Sequence, residues 1–284
     1  MTGFVYKPTT KKQWVHGSKR ATVRFGATPV MPGGHGWDAY IPSSEPQNIS
    51  GVESYACTVY AALKAWITLA RRYKYDIPDN LSERFNAIMA GIVPPGASPH
   101  DVAESIRTTG VIDNARLPFD KKIKSTEAFY QPKPMLPELI EEAKKTVQEY
   151  ELGHEYLFND PQYGLRTLNK PAKLKAGLER GTVCVSVCAW KIGADDLYYK
   201  EATDADGHWT FLVDYVEGEY WIVDDQYKPY QKRIAWNTDF QTAEVYFLKR
   251  NETGIAPNDR TYFMRLLNQM IESLKRLQII LQGR

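Results

Sequence analysis

A chain of 284 residues, 43% hydrophobic and 12% aromatic, can bury a sizeable core, either in one large domain or in two lobes around a shared cleft. Its formal net charge of +2 gives no electrostatic case for nucleic acid or a membrane surface as partner, and no apolar run approaches a transmembrane helix. The first residues, Met1 to Pro8, lack the apolar core of a signal peptide, and the few cysteines suit a reducing compartment, so a cytoplasmic protein is expected.

Residues 1–35 are basic and turn-rich and read as an N-terminal extension: an arm over the surface, a partner-binding strap or a loose terminus, with His16 and His35 solvated. From Gly51-Val-Glu-Ser-Tyr-Ala a polar loop runs into a helix at Cys57. Val59, Leu63, Trp66 and Ala70 recur at three- and four-residue steps, which predicts one buried helix face, and Ser54 is placed to cap the helix. A thiolate at a helix start is favoured by the positive end of the helix dipole. Pro134 to Tyr150 reads as a surface helix, with proline at its start, acids early and lysines later. His100 and His154 fall in loop-like contexts and match no motif.

Cys184 and Cys188 lie four apart on a predicted strand, share a face, and read as buried small hydrophobes. No further ligands stand at the short spacings of a zinc site. The acidic pairs Asp195-Asp196 and Asp204-Asp206 do not match a calcium loop. No cofactor and no metal are therefore expected. Next come two strands, Gly207 to Tyr215 and Gly218 to Tyr227, joined by a turn at Val216 to Glu219. His208 begins the first and Asp225 ends the second, so an antiparallel pairing sets imidazole and carboxylate side by side, with Asp224 pointing the other way. Strands over 231–235 and 242–248 follow. A polar linker then leads to a helix over 260–281, whose Phe263, Leu267, Met270, Leu274, Leu277 and Leu281 form a heptad seam that must be buried, either by docking on its own domain or by self-association or a partner.

Cys57 on a helix start, His208 on a strand start and Asp225 beside it make a nucleophile–base–orienter set. The order and the flanking residues resemble the papain-like cysteine peptidases. Ser-Tyr-Ala-Cys57-Thr-Val-Tyr-Ala is similar to that family's cysteine motif, Gly-His208-Trp-Thr-Phe-Leu-Val to its histidine strand, and Tyr220-Trp-Ile-Val-Asp-Asp225-Gln-Tyr to the strand carrying its asparagine. His208 follows Cys57 by 208 − 57 = 151 residues, near the family's roughly 130–150. Two bridging passages agree: Ser98 to Gly110 with Leu117-Pro-Phe119, and Leu174 to Val187.

The resemblance implies an α+β, papain-like two-lobed fold, a helical lobe and an antiparallel β lobe with a cleft between them. It would occupy residues 36–250, with residues 251–284 as linker and appended helix. It also implies a peptidase using Cys57, His208 and Asp225 on a protein or peptide substrate, without nucleic acid or membrane. Gln47 is the expected oxyanion donor, although it stands ten residues before Cys57, where the family has six and where this chain has Gly51. Asp225 replaces asparagine, Thr58 and Tyr227 replace tryptophans, and Ser54 occupies the position of a disulfide cysteine in secreted members. These departures keep a second reading open, a papain-like fold retained as a structural component of an assembly; the reduced motifs and added helix are reminiscent of bacteriophage proteins, including virion components. The same Cys–His–Asp order occurs in other acyl-transfer enzymes such as transglutaminases, but the flanking motifs fit papain better.

Overall fold

The computed structural model describes residues 3–9, 36–160, 167–188, 191–200 and 207–251. The seam helix over 260–281, its linker, most of the basic extension, His16, His35 and the 204–206 acids lie outside the described residues.

A short hairpin, β1 (Asn48–Ile49) and β2 (Val52–Glu53), precedes the central helix α1 (Cys57–Tyr73). Then come α2 (Glu83–Met89), α3 (Pro99–Thr109), the single turn α4 (Thr126–Phe129) and α5 (Pro137–Glu149). The chain continues through β3 (Tyr150–Asn159), α6 (Lys170–Arg180), β4 (Thr182–Val187), β5 (Lys191–Ile192), β6 (Tyr198–Tyr199), β7 (His208–Val216), β8 (Tyr220–Asp224), β9 (Gln231–Ala235) and β10 (Thr242–Arg250). Strands β3 to β10 form one eight-stranded sheet in the order β3-β10-β4-β7-β8-β9-β6-β5. Every pairing in it is antiparallel except β6 with β9.

The sheet and α1 determine where the site falls. α1 packs against β7, β4 and β10 on one side and against α3 and α2 on another. Its burial therefore exceeds the single face that the apolar spacing predicts: every residue from Cys57 to Ala70 is buried, including Thr58, Lys64 and Thr68. Two of the polar members are matched, while Thr58 Oγ1 is buried without a hydrogen-bond partner. Thr68 Oγ1 donates to Lys64 O at 2.7 Å, and Lys64 forms a buried ion pair with Asp224. A helix enclosed on all sides needs such partners, because an unpaired buried polar group costs about 1–3 kcal/mol.

The 207–227 hairpin forms as the sequence predicts, with a register shift between Leu212 and Asp214. Two elements differ from expectation. His100 lies in the first turn of α3, and His154 lies within β3, not in loops. The ten residues of β3 hide their strand character because both faces are covered. His154 and Tyr156 face His100 of α3, while Glu155 pairs with Arg180 of α6 at 2.8 Å. Polar residues on both faces erase the simple alternation of a half-exposed strand.

Candidate active site

Cys57 is the first residue of α1 and has no exposed surface. Its backbone N–H is among the donors that helix geometry leaves without an intrahelical partner. Ser54 does not cap this helix: its hydroxyl accepts from Ala56 N at 3.4 Å, and the N-cap, Ala56, has no side-chain cap. The carbonyl of Ser54 instead accepts from the Tyr130 hydroxyl. Tyr55 adopts a positive φ of 55°, turning the chain sharply into the helix.

His208 opens β7, with 1% of its surface exposed. Its Nε2 lies 2.6 Å from Asp225 Oδ1, so that nitrogen carries the proton donated to the carboxylate. The opposite nitrogen, Nδ1, has no nitrogen or oxygen partner, and the Cys57 thiol interacts with the ring. Burial alone would discharge the imidazole, but Asp225 and Cys57 outweigh it and raise its pKa to about 10. Asp225 is wholly buried. Burial pushes its pKa up, and His208 and Lys232 more than reverse this, holding the carboxyl below the usual range.

Lys232 is a member the sequence reading missed. From β9 its Nζ reaches Asp225 Oδ2 at 2.5 Å, and it also donates to the carbonyls of Tyr227 and Pro229. A buried carboxylate shared by two cations accounts for an acid where the resembled family has an amide: Asp225 balances the charge of Lys232 as well as orienting His208. The one available signal was a lysine alternating into the inner face of a strand. The neighbouring Asp224 faces away, accepting from Ser44 Oγ at 3.0 and 3.1 Å and pairing with Lys64.

The β1–β2 hairpin accounts for the distance between Gln47 and Cys57. Ser50 and Gly51, the two linking residues, have φ of 54° and 84°, the pattern of a type I′ turn. The hairpin folds the extra residues back on themselves, so that Ser54 N donates to Gln47 O at 3.3 Å and Gln47 N donates to Gln226 O at 3.4 Å. Gln47 thus stays beside both the cysteine loop and the Asp225 strand. Its Nε2 donates to Glu53 Oε1 at 2.6 Å. Glu53, also missed from sequence, collects Tyr55 N at 3.1 Å and the Tyr227 hydroxyl at 2.6 Å as well. Burial and Glu53 raise the Tyr227 phenol, which remains a donor, and its ring lies 5.6 Å from the His208 ring.

Residues 3–7 form a strap that covers Cys57. Gly3, at φ 153°, sits so close that a Cβ there would come within 2.5 Å of Cys57 Sγ. Phe4 N donates to Gly207 O at 3.3 Å, Val5 N to Ala97 O at 3.0 Å, and Ala97 N to Gly3 O at 3.0 Å. The Phe4 ring stacks on Trp209 at 5.6 Å, and Lys7 pairs with Asp101. Gly96 permits the approach, since a Cβ there would fall 2.1 Å from Gly3 O. The remaining cysteines, Cys184 and Cys188, are buried and form no disulfide. Burial raises the Cys184 thiol, which leans on Ala61 O at 3.6 Å.

The fold is that of the papain-like cysteine proteases. Xylellain, a cysteine protease from Xylella fastidiosa, superposes with a TM-score of 0.55 at 12% identity, over 88% of this chain and 95% of that one. Two digestive enzymes of the Tenebrio molitor larval midgut are also similar. Procathepsin L2 has a TM-score of 0.53 at 15% identity, over 86% of this chain and 77% of that one. Procathepsin L 3 has 0.52 at 14%, over 74% and 68%. No protein-family model matches the chain, and no curated protein matches its sequence.

Proposed function

We propose that this protein is a cysteine peptidase in which Cys57 is the nucleophile, His208 the acid–base and Asp225 its orienter. The observation that carries this reading is a fully buried imidazole held between a helix-start thiol and a carboxylate, with Nε2 committed to Asp225 at 2.6 Å and Nδ1 left for the thiol. Cys57, as thiolate, attacks the peptide carbonyl. The amine leaves with the proton of His208 Nδ1, and an acyl-enzyme remains. Water then gives a proton to His208 and attacks the acyl carbon, and Cys57 departs as thiolate while the acid product is released. The developing oxyanion is assigned to the Cys57 backbone N–H and to the second N–H of Gln47 Nε2, the first being held by Glu53.

The strap over Cys57 makes this a covered form, so a substrate must displace residues 3–5 before attack. A structural component of an assembly has no need of a charged imidazole buried between thiol and carboxylate, which makes the scaffold reading the weaker one. The fold likeness lends no support to a bacteriophage or virion origin. The test is hydrolysis of an unstructured protein substrate by the full chain and by a chain lacking residues 1–9, each compared with its Cys57→Ser counterpart. Equal hydrolysis with and without the thiol would remove the proposal.

A further inference from the structure

A second group of titratable side chains, separate from Cys57 and His208, lies between α3 and the strands β3 and β10. His100 from α3, His154 from β3 and Glu244 from β10 are all buried, and one potential ligand atom from each lies within 4.8 Å of the others. His100 Nδ1, His154 Nδ1 and Glu244 Oε1 are each buried without a hydrogen-bond partner. Two of the other polar ends are occupied. His154 Nε2 lies 2.9 Å from Glu104 Oε1, and Tyr246 donates its hydroxyl to Glu244 Oε2 at 2.9 Å. In the neutral ring, a proton on His154 Nε2 shared with Glu104 leaves Nδ1 as a lone pair. The Tyr246 bond likewise leaves Oε1 of Glu244 for another partner.

Lone pairs that converge in a buried space repel one another unless a positive charge sits among them. The spacing indicates which kind. Each Nδ1 stands 3.5 Å from Glu244 Oε1. A charge-assisted N–H···O bond would draw these atoms to about 2.7–2.9 Å. A tetrahedral metal with bonds of about 2.0–2.1 Å holds its ligands roughly 3.4 Å apart, near the separation seen. Glu104 stands behind His154 as the outer carboxylate that fixes the ring of a metal-bound histidine, and it is itself held by Arg107 at 2.6 and 2.9 Å.

We infer that His100, His154 and Glu244 form a binding site for a divalent first-row transition metal, zinc being the best fit to two imidazoles and a carboxylate, with Glu104 as its outer partner. The three ligands are far apart in sequence, on a helix and two strands, which is why short-spacing criteria led to the expectation of no metal. Such an ion would tie the start of α3 to the edge of the sheet, and it would do so without touching the Cys57–His208 pair.

The test uses the full chain, freed of metal by chelation and carrying Cys57→Ser so that the thiol–imidazole pair cannot bind zinc. Titration with Zn(II) should give one equivalent per chain and raise the melting temperature by roughly 5–10 °C at a hundredfold excess over Kd. Co(II) should bind with the visible bands of a tetrahedral nitrogen–oxygen site and no thiolate charge-transfer band. Glu104→Gln should weaken zinc by about 10–100-fold. His100→Ala, a truncation at a helix start that should leave the fold intact, should remove the stoichiometric binding, as should Glu244→Gln if that variant folds. Absence of stoichiometric zinc binding, or binding that survives His100→Ala unchanged, would overturn the site.

Discussion

Among the described residues, two buried histidine–carboxylate clusters lie on one sheet and are built on opposite principles. At His208 the carboxylate is saturated: Asp225 receives His208, Lys232 and the Gln226 N–H, and the one nitrogen without such a partner faces a thiol. At His154 the Glu104 carboxylate is engaged through both oxygens and Glu244 through Oε2 only, and three inner atoms, His100 Nδ1, His154 Nδ1 and Glu244 Oε1, lack a hydrogen-bond partner. The first arrangement holds an imidazolium in place beside a thiol. The second has no nucleophile and leaves room for a cation. The same residue types therefore do different work according to which of their atoms remain unpaired, and this depends on neighbours contributed by other strands.

The sharpest way to break the first half of this comparison is to remove the thiol or the ring. Cys57→Ser and His208→Ala should each lower turnover of a peptide substrate by about 10³-fold or more, because members of such a set act as a unit. A loss of less than tenfold in initial rates with either would mean that the cluster is structural. The strap sets the next effect in size. Phe4→Ala removes the stacked ring on Trp209, and a lost burial of about 2 kcal/mol corresponds to roughly thirtyfold more of the uncovered form. Cys57 alkylation by iodoacetamide should accelerate accordingly, while Cys184 stays unreactive. An unchanged rate would mean that the strap does not control access.

Lys232 separates the charge-balance account from simple packing. Lys232→Met strands Asp225 with one cation fewer and should destabilise the fold by about 3 kcal/mol in chemical denaturation. Adding Asp225→Asn should recover part of that loss, since the amide no longer needs the lysine. Equal stability of the single and double variants would contradict the pairing. Asp225→Asn alone should retain more activity than Asp225→Ala, but less than an orienting role by itself would suggest, because Lys232 then loses its countercharge. Asp224→Ala should act on stability through Lys64 and Ser44 and leave turnover comparatively intact.

The pH dependence is a smaller and more diffuse effect. His208 is raised to about 10 from an unfolded value near 6.5, so its contribution is complete below about pH 6.5 and is lost as pH rises through 10. Asp225 is lowered, so its contribution is present above about pH 4 and is lost as pH falls through its depressed value. Between pH 7 and 10.5 the wild type should lose on the order of 2–4 kcal/mol more than His208→Gln does. Parallel stability curves for the two proteins would rule this out.

How much of this was legible in the sequence follows the same division. Cys57, His208 and Asp225 were readable because each is marked locally, by a helix start, a strand start and the end of the paired strand. Gln47 was readable as a candidate, but the I′ hairpin that keeps it near Ser54 depends on Ser50 tolerating a positive φ, which a serine does not advertise. Lys232 and Glu53 were not legible, because their roles exist only once β9 and β2 are folded against the site. The His100–His154–Glu244 group was hidden for the same reason, and β3 was hidden because both its faces are covered. The contact of residues 3–7 with the site was not legible, because it depends on Gly3, whose missing side chain permits close approach to the thiol.

The central claim is that Cys57 is a nucleophile made competent by His208 and covered by the strap. Its most direct measurement is modification by an epoxide thiol inhibitor at neutral pH, followed by mass mapping of the adduct in the wild type, Phe4→Ala and His208→Ala. The account predicts a single adduct on Cys57, formed faster in Phe4→Ala and all but lost in His208→Ala. An adduct on Cys184 or Cys188, or labelling of Cys57 at the same rate in all three proteins, would contradict it.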